Sequence, residues 1–349
     1  MPAIRDLDTI EMQIRELYQS SVKGSSIQSI LALPSDMSPR RYFRINHVGE
    51  PLVAMVFDSV AVPEAVGSGE KVNSFQAVVR LTEYLLARSL AVPRIFASSE
   101  KLSIIIQDDF GDTFLADKAS SHAESLYQLA IDQILALQIA EPDQECFALK
   151  RGFSSEIFFK EMEETPDFYL ANLATAPDKQ LILEIKSYLL ELANQVGKFS
   201  QTLSLRDFHS WNILVRPNHT LGIIDFQDAL LAPRTYDLVS LLNDRDTDAL
   251  LGEKNYHQLL EYFFKNHPQA EELRAEYPLV LLQRDLKVAG RLSKMVHVRQ
   301  LPLYAKWIPG TVRRIARTLK ARTLWSSADP LLSNLYSALT KADPSGFGG

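Results

Sequence analysis

Three polar residues stand against apolar runs in the middle of the chain. Asp207 follows Leu203-Ser204-Leu205-Arg206, Asn212 comes five positions later, and Asp225 ends the run Leu221–Ile224 another thirteen positions on. Phosphoryl transfer needs little covalent help; it needs positioning and neutralisation of charge. A carboxylate at Asp207 suits a base that takes the proton of an acceptor hydroxyl. Oxygens from Asn212 and Asp225 suit Mg²⁺, a hard cation. Phosphoryl-transfer enzymes space a catalytic base and its metal ligands in this way.

The elements that must position these residues are legible around them. Pro217-Asn218-His219-Thr220 reads as a turn between Ile213–Val215 and Leu221–Ile224. That hairpin brings Asn212 and Asp225 to the same end.

Upstream, Leu7–Val22 carries a helical stripe at Leu7, Ile10, Ile14 and Leu17. Ser29–Leu33, Arg41–Asn46 and Leu52–Phe57 read as strands, with a polar turn at Pro34–Pro39. This first turn is placed to lie over nucleotide phosphates, although it lacks glycines. Backbone N–H groups of Ser35–Ser38 can cradle phosphate, and Arg40, Arg41 and Arg44 can add charge. Val53-Ala54-Met55-Val56 copies a kinase V-A-I-K strand, with valine in place of the phosphate-binding lysine. Lys71 and the three arginines are the candidate replacements. Val72–Leu90 reads as a helix, in which Glu83 is an exposed glutamate. Val92–Ala97 and Leu102–Ile106 read as further strands. Ile104–Gly111 then passes from a buried strand into a polar segment, as expected of a hinge whose backbone binds adenine; Gln107 and Asp109 fall there.

Beyond Ser121 the chain turns helical. Leu126–Ile139, Leu181–Phe199, Tyr256–Lys265, Tyr277–Val298 and Lys306–Arg322 read as helices. Arg284, Lys287 and Arg291 form a basic stripe, for which solvation is the default expectation. Ser345–Gly349 is glycine-rich and expected to be disordered.

Composition bounds the function. The 349 residues suffice for one large or two modest domains, and 46% hydrophobic with 23% charged residues describes a soluble globular chain. A net charge of −6 argues against a nucleic-acid binder. One cysteine, Cys146, excludes disulfide and zinc frameworks. The N-terminus shows no signal-like segment and no apolar run is long enough to span a membrane, so the expected location is the cytoplasm, where ATP and Mg²⁺ are available. Oligomeric state is open, a monomer being sufficient.

From Arg40 to Leu319 the chain resembles the aminoglycoside phosphotransferase and choline kinase group, and within it the bacterial kinases of cell-wall amino sugars. The resemblance rests on Arg40-Arg41-Tyr42-Phe43-Arg44, Lys160-Glu161, Pro166–Tyr169, Arg206-Asp207-Phe208-His209-Ser210 with Asn212, Ile224–Ala229, Thr235–Leu242 and Gln283–Gly290. It implies an α+β, bilobal, protein-kinase-like fold. A small β-sheet lobe over residues 1–107 would bind nucleotide, and a larger, mainly helical lobe over 108–349 would carry catalysis and substrate. It implies ATP and Mg²⁺, Asp207 as base, and Asn212 and Asp225 as metal ligands. Glu161, His209, Arg284 and Lys287 would lie near an amino sugar such as N-acetylmuramate or N-acetylglucosamine, phosphorylated at its anomeric hydroxyl. Asp237 matches a residue that braces the catalytic loop. Leu205 and Trp211 depart from the family pattern, where histidine and arginine are usual. Two other readings stand beside this one: a kinase of another small hydroxyl compound, such as an aminoglycoside, and a non-catalytic kinase-like binding module.

Overall fold

The computed structural model describes residues 5–21, 26–34, 40–58, 72–118, 123–139, 146–245, 247–321 and 330–347. Helix α1 (Leu7–Ser21) precedes strands β1 (Ile27–Ala32), β2 (Arg40–His47) and β3 (Leu52–Phe57). Helix α2 (Ser74–Leu86) and strands β4 (Ile95–Ser99) and β5 (Ile104–Asp108) follow. The five strands form one antiparallel sheet in the order β1-β2-β3-β5-β4.

Strand alternation decides which face each side chain meets. Phe43, Ile45, Ala54 and Val56 pack with Ile10, Ile14 and Tyr18 of α1. Met55, Phe57 and Ile105 pack instead with Phe75 and Val78 of α2. The register pairs Arg40 with Phe57, Tyr42 with Met55 and Arg44 with Val53, so those three β2 residues share the α2 face. Val56 and Arg41 are a cross-strand pair on the opposite, α1 face. Val56 therefore does not occupy the place of a missing lysine: it is a fully buried core residue beneath α1.

The rest is mainly helical. It comprises α3 (Ala123–Ile139), α4 (Ser155–Met162) and α5 (Lys179–Val196), then the short strands β6 (Gln201–Ser204), β7 (Ile213–Val215), β8 (Leu221–Ile223) and β9 (Leu230–Pro233). Helices α6 (Tyr236–Asn243), α7 (Thr247–Lys265), α8 (Ala270–His297), α9 (Ile308–Lys320), α10 (Pro330–Ala342) and α11 (Pro344–Phe347) complete it. The turn Pro34–Pro39 lies outside the described residues from Ser35 on, as does Lys71. The C-terminal segment is ordered through Phe347, contrary to the expectation of disorder. Phe347 is fully buried, and Asp343 accepts hydrogen bonds from Tyr169 Oη, Ser345 Oγ and Gly346 N. An apolar ring inserted into the core outweighs the local flexibility of glycine.

Helix α8 is the spine of the larger lobe. Gly290 lets it touch the main chain of Glu164 and Thr165, where any Cβ would collide. The Thr165 hydroxyl donates to the Leu286 carbonyl across the same contact. This approach brings the acidic segment around Glu161–Glu164 against the basic stripe of α8. Glu276, on the same helix, is buried with Oε2 unpaired among the described residues. Burial, reinforced by Glu272 and opposed by Arg234, pushes its carboxyl up to about 7. The folded state then holds this proton above the range in which the unfolded chain releases it. Stability from this group is present at low pH and lost as pH rises from about 4.5 to about 7. Glu276→Gln is expected to melt higher than wild type at pH 8, with the gap shrinking as pH falls toward 4.5; a pH-independent gap would contradict this.

Candidate active site

The loop that carries Asp207 is built by main-chain hydrogen bonds and one buried carboxylate. Strand β6 delivers Ser204, and Asp237 in the first turn of α6 accepts from Ser204 Oγ at 2.7 Å, Leu205 N at 2.9 Å and Arg206 N at 3.2 Å. Burial pushes the Asp237 carboxyl up to about 6, even though these donors favour its charge. The brace lets Arg206 hold φ +69°, a left-handed conformation that costs ~1–3 kcal/mol unless its surroundings impose it. Asp207 N then donates to Leu205 O at 2.8 Å, and Asn212 Nδ2 to Asp207 O at 2.9 Å. The second bond leaves Asn212 Oδ1 as the atom free to meet a cation.

The hairpin of β7 and β8 does what its spacing required. Ile224 N donates to Asn212 O at 3.0 Å, which joins the segments bearing Asn212 and Asp225. Asp225 itself sits at φ +62°. Gly222 permits the Phe110 ring to lie directly over β8, tying the hairpin to the segment that follows β5.

Three arginines of β2 were candidates for phosphate, and the sheet separates them. Arg40 crosses the cleft, its Nη2 2.5 Å from Asp225 Oδ1. Burial opposes its charge, but Tyr42, Asp225 and Asp228 outweigh burial and hold its pKa above the ordinary value. Arg41 points to the α1 face and pairs with Asp58, which takes it away from the cleft. Arg44 shares the face of Arg40 but is clasped by Asp109 and Asp112 at the end of β5. The Asp109 side chain thereby holds Arg44 and accepts from Gly111 N. Gln107 lies beside Val53 on the α2 face, 5% exposed. Glu83 is exposed on α2, so it is not a buried partner for Arg40.

If Arg40 is the phosphate cation of this cleft, it must exchange Asp225 for nucleotide. Arg40→Gln is expected to raise KM for ATP by about tenfold, the value of one charge-assisted hydrogen bond. Arg44→Gln should instead act on stability. Equal effects of the two on KM would remove the assignment.

A second cluster adjoins the loop. Lys287 Nζ lies 2.9 Å from Glu161 Oε1 and 3.2 Å from Tyr236 Oη, and Arg206 Nη2 is 3.6 Å from the same Glu161 oxygen. Arg284 Nη2 donates to Ser240 Oγ at 2.9 Å and faces Asp244 Oδ1 at 3.4 Å. Arg291 and Lys294 both pair with Glu164. The expected solvated basic face is thus buried or neutralised by three carboxylates, because α8 packs against the acidic segment. Burial alone would raise Asp244, but His209, Arg284 and Arg245 hold it below the usual carboxylate range. Glu161 Oε2, His209 Nδ1, Asp244 Oδ2 and Arg284 Nη1 are buried without hydrogen-bond partners among the described residues. Buried polar atoms left open together mark where a ligand's hydroxyl and carbonyl groups can go.

The structure thus brings Asp207, Asn212, Asp225 and Arg40 together at the loop and hairpin, with Glu161, His209, Arg284 and Lys287 adjoining. Sequence reasoning missed roles for Arg206, Gln227, Asp244 and Arg245. Gln227 Nε2 donates to Asp225 Oδ1 and to Asp228 Oδ2, both at 3.0 Å. Asp244 had one usable signal, a carboxylate placed directly after the wholly buried helix α6.

Residues 29–277 match the family described as phosphotransferase enzymes, and the chain belongs to that family. It is an enzyme that transfers phosphoryl groups. Among similar proteins, N-acetylmuramate/N-acetylglucosamine kinase of Pseudomonas aeruginosa is 25% identical over 317 residues, 88% of each chain. The enzyme of that name from Pseudomonas putida is 25% identical over 341 residues, 94% of this chain and 95% of its own. Two solved structures share the fold. Choline kinase LicA from Streptococcus pneumoniae superposes with a TM-score of 0.57 at 13% identity, over 91% of this chain and all of its own. ADP-bound aminoglycoside phosphotransferase APH(2'')-Ib superposes with a TM-score of 0.58 at 16% identity, over 90% and 99%. The α+β, kinase-like fold follows. Among the described residues, no helix is long and apolar enough to cross a membrane.

Proposed function

We propose that this protein uses ATP and Mg²⁺ to phosphorylate the anomeric hydroxyl of an N-acetylated amino sugar. The observation that carries the reading is the convergence of Asp207, Asn212 and Asp225 on one loop and hairpin, faced across the cleft by Arg40. The names of the similar enzymes from Pseudomonas supply the sugar class.

In this account residues 1–107 hold nucleotide and 108–349 hold the acceptor. Adenine meets the backbone after β5, beside Gln107. Asp207 orients the acceptor hydroxyl and takes its proton as that oxygen bonds the γ-phosphorus of ATP and the bond to the ADP oxygen breaks. Arg40 neutralises phosphate oxygens on the far side of the cleft. Bound Mg²⁺ would supply neutralisation of the phosphate charge. Asn212 Oδ1 and Asp225 would hold it. A pair of protein ligands would suffice for a cation that gives up its waters reluctantly; among the described residues no group of three or more His, Cys, Asp or Glu that could hold a metal stands together. Glu161, His209, Asp244 and Arg284 offer their open polar atoms to the sugar.

An anomeric hydroxyl is more acidic than a primary one, because the ring oxygen withdraws electron density. A carboxylate is a weak base, so this acceptor suits Asp207. The free sugar is expected to stimulate ATP consumption, whereas its methyl glycoside is not. Efficient turnover of the glycoside would move the reaction to another hydroxyl. The surroundings of Asp207 do not present the strongly acidic pocket that a polycationic aminoglycoside requires, since Glu161 and Asp244 are already paired with cations.

A further inference from the structure

We infer that Arg245, whose guanidinium lies over Trp211 and Trp307, is a specificity-determining residue that receives an anionic substituent of the acceptor. The inference rests on the amino-sugar reading above. The Arg245 guanidinium carbon lies 5.0 Å from the Trp211 ring centroid and 4.7 Å from that of Trp307. Trp211 is 37% exposed and stands on the catalytic loop immediately before Asn212. The guanidinium thus lies over two aromatic rings, and its N–H groups form a planar edge. That edge matches a carboxylate bidentately, which a lysine ammonium does not.

Arg245 is more open to a ligand than the α8 cations Arg284 and Lys287. The Arg284 side chain is 6% exposed and held by Ser240 and Asp244. Lys287 is held by Glu161 at 2.9 Å. The Arg245 side chain is 27% exposed, and its ion pair among the described residues, with Asp244 Oδ2, spans 3.7 Å. That distance is beyond a hydrogen bond, so an incoming carboxylate displaces little. Asp244 also ties Arg245 to the acceptor cluster, since it faces Arg284 Nη2 at 3.4 Å.

The stack is held rigidly. Arg245 adopts φ +50°, and its carbonyl accepts from Arg314 Nη1 at 3.3 Å. Arg314 is itself buried and doubly bonded to Asp285, with Nε and Nη2 both at 2.8 Å. A left-handed arginine pinned by a buried ion pair is a strained position maintained by its surroundings. Trp211 further meets Phe114 at 6.0 Å between ring centroids, which fixes the outer ring of the stack.

The test compares N-acetylmuramate, which carries a lactyl carboxylate, with neutral N-acetylglucosamine. The quantity read is the ratio of their kcat/KM values. In Arg245→Gln this ratio is expected to fall by about tenfold or more, through KM for the acidic sugar, as loss of one charge-assisted contact requires. Arg245→Lys should recover part of the ratio by keeping the charge. Should Arg245→Gln fail to fold, Trp211→Leu removes one face of the stack and should lower the same ratio. Equal losses for both sugars would overturn the inference while leaving the amino-sugar kinase intact. Turnover of neither sugar by the wild-type enzyme would overturn both.

Discussion

Asp207→Asn is expected to cut kcat by ~10²–10⁴-fold, the usual value of a positioned base, while ATP affinity stays within about a few-fold. The substitution is clean on structural grounds. The Asp207 main chain makes the bonds that shape the loop: its N–H donates to Leu205 O and its carbonyl accepts from Asn212 Nδ2. Neither uses the carboxylate. Asp237 braces the loop from beneath, also without the Asp207 side chain. Steady-state kinetics beside nucleotide titration of the same sample make the check. A variant with near-native kcat would take the proton-accepting role from Asp207.

Asp225→Ala is expected to lose ~10²–10³-fold in kcat/KM for ATP, in the range of one electrostatic contact to the transition state. Here affinity should fall with rate, unlike Asp207→Asn. The side chain has two further partners, Arg40 Nη2 at 2.5 Å and Gln227 Nε2 at 3.0 Å. Removing it releases Arg40, so the variant's binding of metal-free ATP should not weaken. Titrations with and without Mg²⁺ separate the two effects. Loss of affinity only when Mg²⁺ is present identifies a metal ligand; an equal loss without metal would make Asp225 a structural residue.

The juxtaposition of Asp207, Asn212 and Asp225 was legible because its information is local. Asn212 lies five positions after Asp207, and one hairpin joins Asn212 to Asp225. The arginines were harder. Arg40, Arg41 and Arg44 are equivalent in sequence, and strand alternation sends Arg41 to the α1 face while Arg40 and Arg44 share the other. Which face is the cleft depends on how α1 and α2 pack, and neither helix announces that. Val56 misled for the same reason. The α8 stripe read as solvated because its partners, Glu161 and Glu164, are more than a hundred residues away in sequence. Their meeting depends on Gly290, whose missing Cβ admits the main chain of Glu164. Phe347 shows the converse: glycine content suggested disorder, but one buried ring decides the end of the chain.

The central claim is phosphoryl transfer from ATP to an anomeric oxygen by the Asp207 loop. It is tested most directly by phosphorus and proton magnetic resonance of the product made from N-acetylglucosamine, Mg²⁺ and ATP. The account predicts a sugar 1-phosphate, with the new phosphorus coupled to the anomeric proton and reducing-end reactivity lost. A phosphorus coupled to a ring or exocyclic proton elsewhere, with the reducing end intact, would contradict it.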